Sequence, residues 1–534
     1  MNRTLPDNLL AAMSDRLSAS IGLYFPADRW TDMERGLERA AVELGYPSTL
    51  AAVQHWLTAG GPDRAQLEAL AGQLTVGETY FFREPKSFEA LGRKILPDLI
   101  AERRAKGLLS LRIWSAACCT GEEAYSLAML LDTLLPDRAD WTVTLLATDV
   151  NSRFLRRAVE GVYGEWSFRG VDPALRARYF TSLPGGRYRI SPDIARMVTF
   201  SYHNLVDDPY PALESNTNAM DVILCRNVLM YFNGAQANRV VRRLARSLVD
   251  NGWLLPSSVD GAPPMFAPLT FVPFEGATVY RKLPQPAHAA PAAPVTQHFP
   301  VLPLAPVPEP APLPVAAPPT VAVKPPVPSL DHCRSLYDQG RYGEAVEQLE
   351  ARLAFAPADD AAMLLLARSY ANQGRLAEAA HWCQGVLDHN RVSAEAHHLL
   401  AMIQQERGDA AAAAASLQRA LFLAPQSIAT HLAMANLARN EGRMRDARKH
   451  YRNIMGLLEG HRPEEILPDL EGMTVGRLMD VAAHAHAALG QALGGGVLRH
   501  GHGPGRRRAG HRLGRHPPPP GRLGGGAGAR LGPG

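Results

Sequence analysis

Apolar residues are spaced in three different ways along this chain, and the changes of spacing divide it. From Asn8 to about Gly60 they recur at helical spacing, with breaks at Gly22, Pro26, Gly45-Tyr46-Pro47 and Gly60-Gly61-Pro62, which predicts several short helices. From Leu111 the pattern becomes short continuous apolar runs, each followed by a helical period. Leu111–Ala117 reads as a buried strand, Cys118-Cys119-Thr120-Gly121 as a tight turn, and about Glu122 to Leu135 as an apolar-periodic helix. Trp141–Asp149 and Asp221–Cys225 read as further buried strands, Gly252–Leu255 and Thr278–Tyr280 as late edge strands, and Gly185–Ile190 with Met197–Tyr202 as a short β excursion. An arginine-rich helix ends near Val249. Strands alternating with helices predict an α/β domain with a largely parallel sheet.

The third spacing is a long repeat. Gly340, Gly374, Gly408 and Gly442 lie 34 residues apart, as do Ala345, Ala379, Ala413 and Ala447, and Pro357 and Pro425 differ by twice that. Glycine at an inter-helix turn and alanine at close helix contacts, at this period, make the tetratricopeptide pattern, in three to four copies. Such arrays stack helix pairs into a surface for a peptide or partner domain; a purely architectural helical extension is the competing reading. The breaks define a helical domain over 1–75, an α/β domain over 76–283 with the excursion at about 180–202, and a linker over 284–328. The repeats follow over 329–460, a helical segment over 461–493 and a tail over 494–534. The linker is mainly Pro, Ala and Val, a composition that favours an extended spacer.

Composition changes this picture at the tail. A chain of 534 residues with 46% hydrophobic content can build two or three cored domains. Residues 495–534 hold eight arginines and no acid, so removing them turns the net charge from +4 to −4, and the basic balance is no nucleic-acid signature. The tail reads as disordered, or as a GC-rich gene translated out of frame. Cys118, Cys119, Cys225, Cys333 and Cys383 are odd in number and lack CxxC spacing, which predicts reduced thiols with neither a disulfide framework nor a metal site. No run approaches 18 apolar residues, so no membrane insertion is expected and the protein reads as cytoplasmic.

Candidate chemistry gathers at strand ends. A strand-turn-helix over Leu111–Leu135 presents backbone N–H groups at the carboxyl end of a strand, where nucleotide-like ligands bind. It has neither the dinucleotide glycine triplet nor a Gly-Lys-Ser/Thr phosphate loop. Thr120 and Glu123 fit a capping box as well as they fit ligand contact. Asp149, ending the second strand, offers two acceptor oxygens to a ribose diol, or else caps the helix starting near Asn151; its place after the strand-turn-helix favours the ligand. Val76–Lys86 carries three consecutive aromatics ending on Arg83, which by density reads as core beside a surface charge. Arg35 and Arg39 can share a helix face that meets an acidic partner or is simply solvated.

Five motifs together are more specific. TYFFRE, SAACCTGEEAYS, LATD, HNL and CRNVLMYF, in that order over residues 79–232, resemble the CheR family, S-adenosylmethionine-dependent methyltransferases that esterify glutamates on bacterial chemoreceptors. The resemblance covers about residues 10–283. It implies a doubly wound S-adenosylmethionine-dependent methyltransferase domain, preceded by a small helical domain; the 34-residue period adds an all-α tetratricopeptide solenoid after it. The resemblance also implies cofactor contacts from Thr79, Arg83, Glu123, Asp149, Asn204, Leu205, Asn227 and Val228, with Arg83 and Tyr231 nearest the reacting methyl group and no metal. The implied substrate is the cytoplasmic domain of a methyl-accepting chemoreceptor, and the implied partner of the repeats is a protein or peptide. Family members with repeats are associated with receptor-linked control of surface behaviour or development. This chain departs in having Gly77-Glu78 where better-known members have Asn-Leu, Ala117 at a place often held by glycine, Cys118-Cys119 in the turn, and a short turn in the β excursion. A small-molecule methyltransferase and a methyltransferase-like scaffold are the alternative readings.

Overall fold

Parallel strands must be covered on both faces, and the apolar runs of this chain meet that requirement. The computed structural model describes residues 4–284 and 327–495, apart from 59, 60, 262, 464, 468, 469, 471 and 472. The Pro/Ala-rich linker and the arginine-rich tail fall almost wholly outside the described residues.

The strands are β1 (Ser110–Ala116), β2 (Thr142–Asp149), β3 (Val162–Gly164), β4 (Phe180–Leu183), β5 (Arg187–Ile190), β6 (Val198–Tyr202), β7 (Met220–Cys225), β8 (Leu248–Pro256), β9 (Thr270–Phe271) and β10 (Tyr280–Arg281). Seven of them form one sheet in the order β6-β2-β1-β7-β8-β10-β9. Neighbours from β6 to β8 pair in parallel, and β10 runs antiparallel to β8 and β9. Along β1, Ile113 packs with the helices Leu96–Ala105 and Glu122–Leu134, whereas Trp114 faces Val240, Val241 and Leu244 of the helix Gly234–Ser247 on the opposite side. Each such side chain taken fully out of water stabilises the fold by roughly 1.5–3 kcal/mol.

The sequence reading grouped Met197–Tyr202 with the β excursion. Instead β6 is an edge of the main sheet, with Tyr202 opposite Asp149 of β2, and the small antiparallel sheet is built from β3, β5 and β4. Alternating apolar residues mark a strand without saying which strand it joins.

Four N-terminal helices, Asp7–Ile21, Trp30–Glu43, Thr49–Thr58 and Arg64–Leu74, pack around Leu10, Met13, Leu37 and Trp56. Arg39 donates to the side chain and the carbonyl of Gln73, both at 3.0 Å, and Arg35 pairs with Asp32 at 3.7 Å, so both arginines have partners inside this domain.

Between residues 330 and 458 eight helices alternate in four pairs, with Gly340, Gly374, Gly408 and Gly442 joining the helices of each pair at φ of 76°, 73°, 79° and 74°. That left-handed backbone is what glycine provides at an inter-helix turn. Ala345, Ala379, Ala413 and Ala447 are fully buried where the helices touch. All five cysteines are free thiols. Among the described residues no helix is long and apolar enough to cross a membrane.

Candidate active site

At the carboxyl ends of β2, β1 and β7 the chain leaves a cleft of about 310 Å³. Open parallel sheets bind ligands in this position because strand-to-helix turns present unpaired backbone groups there. The turn after β1 is tightly wound: Ala117, Cys119 and Gly121 all have positive φ. A Cβ at Gly121 would lie 2.8 Å from that of Ala158, so only glycine fits the turn.

Thr79, Arg83, Glu123, Asp149, Asn204, Leu205, Asn227, Val228 and Tyr231, the nine residues singled out from sequence, all line this one cleft. Ile21, Leu23, Phe25, Leu74, Val150 and Phe154 give it an apolar wall. Asp149 is buried, and its two oxygens accept the backbone N–H of Cys119 at 2.9 Å and of Asn151 at 2.8 Å. Each oxygen keeps a further lone pair for a ligand hydroxyl. Burial outweighs these hydrogen bonds and pushes the carboxyl up to about 6. The helix that follows is capped not by Asp149 but by Asn151, whose side chain accepts from the N–H groups of Arg153 and Phe154.

From the sequence, Glu123 fits a capping box with Thr120 as well as it fits ligand contact, and the capping box does not form. The Glu123 carboxylate instead accepts the Ser115 hydroxyl at 2.7 Å and Arg226 at 3.0 Å, while the Thr120 hydroxyl donates to Glu122 at 2.6 Å and Thr120 does not line the cleft. The cap position falls on Gly121 without a side-chain bond. A buried cation within reach outcompetes the local cap, because leaving it unpaired costs more than one open helix N–H. Burial raises the Glu123 carboxyl, and the Arg226 charge opposes the shift.

The Arg226 side chain is itself only 1% exposed. Its guanidinium also donates to the carbonyl of Arg83 at 2.6 Å and pairs with Glu84 at 3.2 Å. Phe82 and Glu84, on either side of Arg83, both hold φ at 56°, a left-handed conformation that costs non-glycine residues roughly 1–3 kcal/mol each. The strained turn directs Arg83 to the cleft, where its guanidinium donates to the Glu78 carbonyl. Phe81 of the same aromatic run is core, as its density suggested.

Asp260 gave no signal in the sequence. Its buried carboxylate accepts the backbone N–H of Asn227 (2.6 Å), Val228 (2.9 Å), Met230 (3.4 Å) and Ser257 (2.9 Å), and so shapes the loop that carries Asn227, Val228 and Tyr231. The Asn227 amide donates to Ser257 at 2.9 Å. The N-terminal helices complete the site: Ser20 accepts from the Asn204 amide at 2.7 Å, and Tyr24 N–H donates to the Tyr231 carbonyl at 2.8 Å.

A parallel sheet with a wound turn after its first strand, a carboxylate ending the second and a cleft across both defines an α/β enzyme of the class that binds adenosine-bearing cofactors. Comparison with known proteins narrows the class. The family described as CheR methyltransferase, SAM binding domain, matches residues 77–257, and a tetratricopeptide repeat family matches residues 336–403. The probable biofilm formation methyltransferase WspC of Pseudomonas aeruginosa is 32% identical over 399 residues, 69% of this chain and 88% of that protein. A chemotaxis protein methyltransferase of Borreliella burgdorferi is 34% identical over 36% of this chain and 66% of its own length. An uncharacterized 104.1 kDa protein of Rhodobacter capsulatus is 35% identical over 36% of this chain, which spans only 19% of it. The chain belongs to the CheR family of S-adenosylmethionine-dependent methyltransferases, in a form that joins the catalytic domain to tetratricopeptide repeats.

Asp260→Asn removes half of the acceptor capacity that holds the 227–231 loop. Hydrogen exchange at the amides of Asn227 and Val228 is expected to accelerate, with a loss of about 2–4 kcal/mol of stability in thermal unfolding; unchanged protection there would exclude the role.

Proposed function

We propose that this chain methylates glutamate side chains on the cytoplasmic domain of a receptor-type signalling protein, using S-adenosylmethionine. The observation that carries the reading is the convergence of Arg83 and Tyr231 with Asp149, Glu123, Asn204 and Asn227 on a single cleft. The bound cofactor supplies an electrophilic methyl group on a sulfonium.

The chain's own residues fit such a group. The buried Asp149 carboxylate suits a ribose diol, and the apolar wall from Leu23 to Phe154 suits a flat base. A substrate carboxylate is already ionised at neutral pH, so the reaction needs alignment rather than a strong general base. In the best intramolecular cases alignment is worth roughly 7–11 kcal/mol. Arg83 would orient the incoming carboxylate by charge-assisted hydrogen bonds, and Tyr231 would close the site against water. The apolar wall of the cleft would exclude water from a carboxylate and a sulfonium whose charges neutralise each other in such a transfer. The helical lead-in and the repeats support a protein acceptor over a metabolite, since a metabolite requires neither.

Incubation with radiolabelled S-adenosylmethionine and a panel of receptor cytoplasmic domains should give base-labile label released as methanol. Arg83→Ala is expected to lower turnover by about 100-fold and Tyr231→Phe by about tenfold. Full activity in both variants, or a base-stable product, contradicts the proposal.

A pH dependence follows from Asp149. Its carboxyl, raised by burial to about 6, is ionised above that pH and protonated below it, and only the ionised form has both oxygens free to accept from a ribose. Affinity for S-adenosylhomocysteine measured by calorimetry should be flat above about pH 7 and fall toward tenfold per unit below 6, a slope that Asp149→Asn abolishes.

A further inference from the structure

The turns of the repeat array lie against the methyltransferase domain along the amino-terminal ends of the strands, and its later helices face Leu146, Ser201 and His203 across a second cavity. Three of its four inter-helix glycines sit on that edge in sheet order. A Cβ at Gly340 would lie 2.6 Å from Arg246 Cγ, at Gly374 3.5 Å from Val249 Cγ1 and 3.8 Å from Ala219 Cβ, and at Gly408 3.3 Å from Thr142 Oγ1, whereas at Gly442 it would meet nothing within 4 Å. These contacts run from the start of β8, past the start of β7, to the start of β2.

The first helices of three repeats, Asp360–Asn372, Ala394–Glu406 and Ile428–Asn440, meet one turn of the domain. This turn, Ala212–Thr217, is closed by Ala212 N–H on the Thr217 hydroxyl and Thr217 N–H on the Ala212 carbonyl, both at 3.1 Å. Leu213 at its tip is buried in the apolar core of the array with Met363, Met402 and Met434. The positive charge of Arg368 acts on the Glu214 carboxylate next to it. Beside the turn, Glu406 of the array has a side chain only 6% exposed, accepts Asn218 Nδ2 at 2.9 Å and faces Arg112 of β1 at 3.7 Å; Arg112 in turn donates to Asn216 Oδ1 at 2.6 Å. A carboxylate and a guanidinium buried across a domain boundary are tolerated only in one register, because moving either away leaves the other uncompensated.

We propose that this face of the repeats is a docking surface whose occupant is the chain's own Ala212–Thr217 turn, and that docking sets cofactor affinity through the segment leading back to Asn204. That segment is one hydrogen-bonded body. Asp208 accepts from Asn204 N–H at 2.6 Å, Asn204 carbonyl accepts from Asp208 N–H at 3.0 Å, and the Tyr210 hydroxyl donates to the Leu205 carbonyl at 2.9 Å. Arg243 donates to the carbonyls of Leu205, Val206 and Asp208 and lies 4.1 Å over the Tyr210 ring. Movement of the turn is therefore transmitted to Asn204 and Leu205 in the cleft wall rather than absorbed between them. A partner in trans must present a similar apolar-then-acidic turn to take this face. The coupling rests on the cofactor reading above; the docking does not.

The test uses the full chain with Leu213→Arg or Glu406→Arg, and Phe422→Arg on an exposed second helix as control. Small-angle scattering should show a larger radius of gyration in both interface variants, and calorimetry at least a fivefold loss of S-adenosylhomocysteine affinity, with the control unchanged in both. Should Leu213→Arg fail to fold, as judged by circular dichroism, Glu406→Arg carries the test from the array side. An unchanged radius overturns the docking, and expansion with unchanged affinity overturns the coupling. A wild-type chain that binds no S-adenosylhomocysteine refutes the cofactor reading instead, while the scattering still decides the docking.

Discussion

The buried guanidinium of Arg226 is the constraint on which the site is built. A charge out of water is costly unless it is matched and hydrogen-bonded, and here two separate stretches of chain supply the match: Glu123 after β1, and Glu84 with the Arg83 carbonyl from the segment before it. One interaction thus ties the turn that ends the first strand, the strained loop that directs Arg83, and the loop that carries Asn227. It also explains why the capping box written into Thr120–Glu123 does not form: the carboxylate is needed elsewhere.

Around that centre the cleft is closed by parts with different chemistry. The N-terminal domain contributes apolar side chains, the Ser20 carbonyl that accepts from Asn204, and the Tyr24 N–H that donates to the Tyr231 carbonyl. Asp260 holds the opposite lip by gathering four N–H groups of two loops onto one carboxylate. Neither contact touches the place where methyl transfer is proposed, yet both fix the residues that do. Alignment is the main contribution such a reaction asks of a protein. On the other edge of the sheet, the repeats meet β1 through Arg112, so the strand that ends in the cofactor turn begins at the repeat array.

Much of this was legible in the chain. The buried strands stood out as apolar runs because both faces of a parallel sheet are covered, and the repeats stood out because Gly340, Gly374, Gly408 and Gly442 each need a left-handed backbone at the same register. That the nine residues share one cleft was legible through the motifs taken together rather than through any one of them, since Asp149 alone could also cap a helix. What could not be read depends on long-range partners. Met197–Tyr202 carries the alternation of a strand but not the identity of its neighbour, and Glu123 turns to an arginine far along the chain. Asp260 sits in a loop with no pattern to mark it. Glu406 looks like any exposed helix-end acid until Arg112 is brought to it.

A crystal structure of the full chain with S-adenosylhomocysteine is the most direct measurement. The ribose is expected on the Asp149 carboxylate and the sulfur facing the space between Arg83 and Tyr231, open to an incoming side chain. Ligand bound away from the strand ends, or a sulfur turned inward toward Cys118 and Cys119 with Arg83 out of reach, would contradict that arrangement.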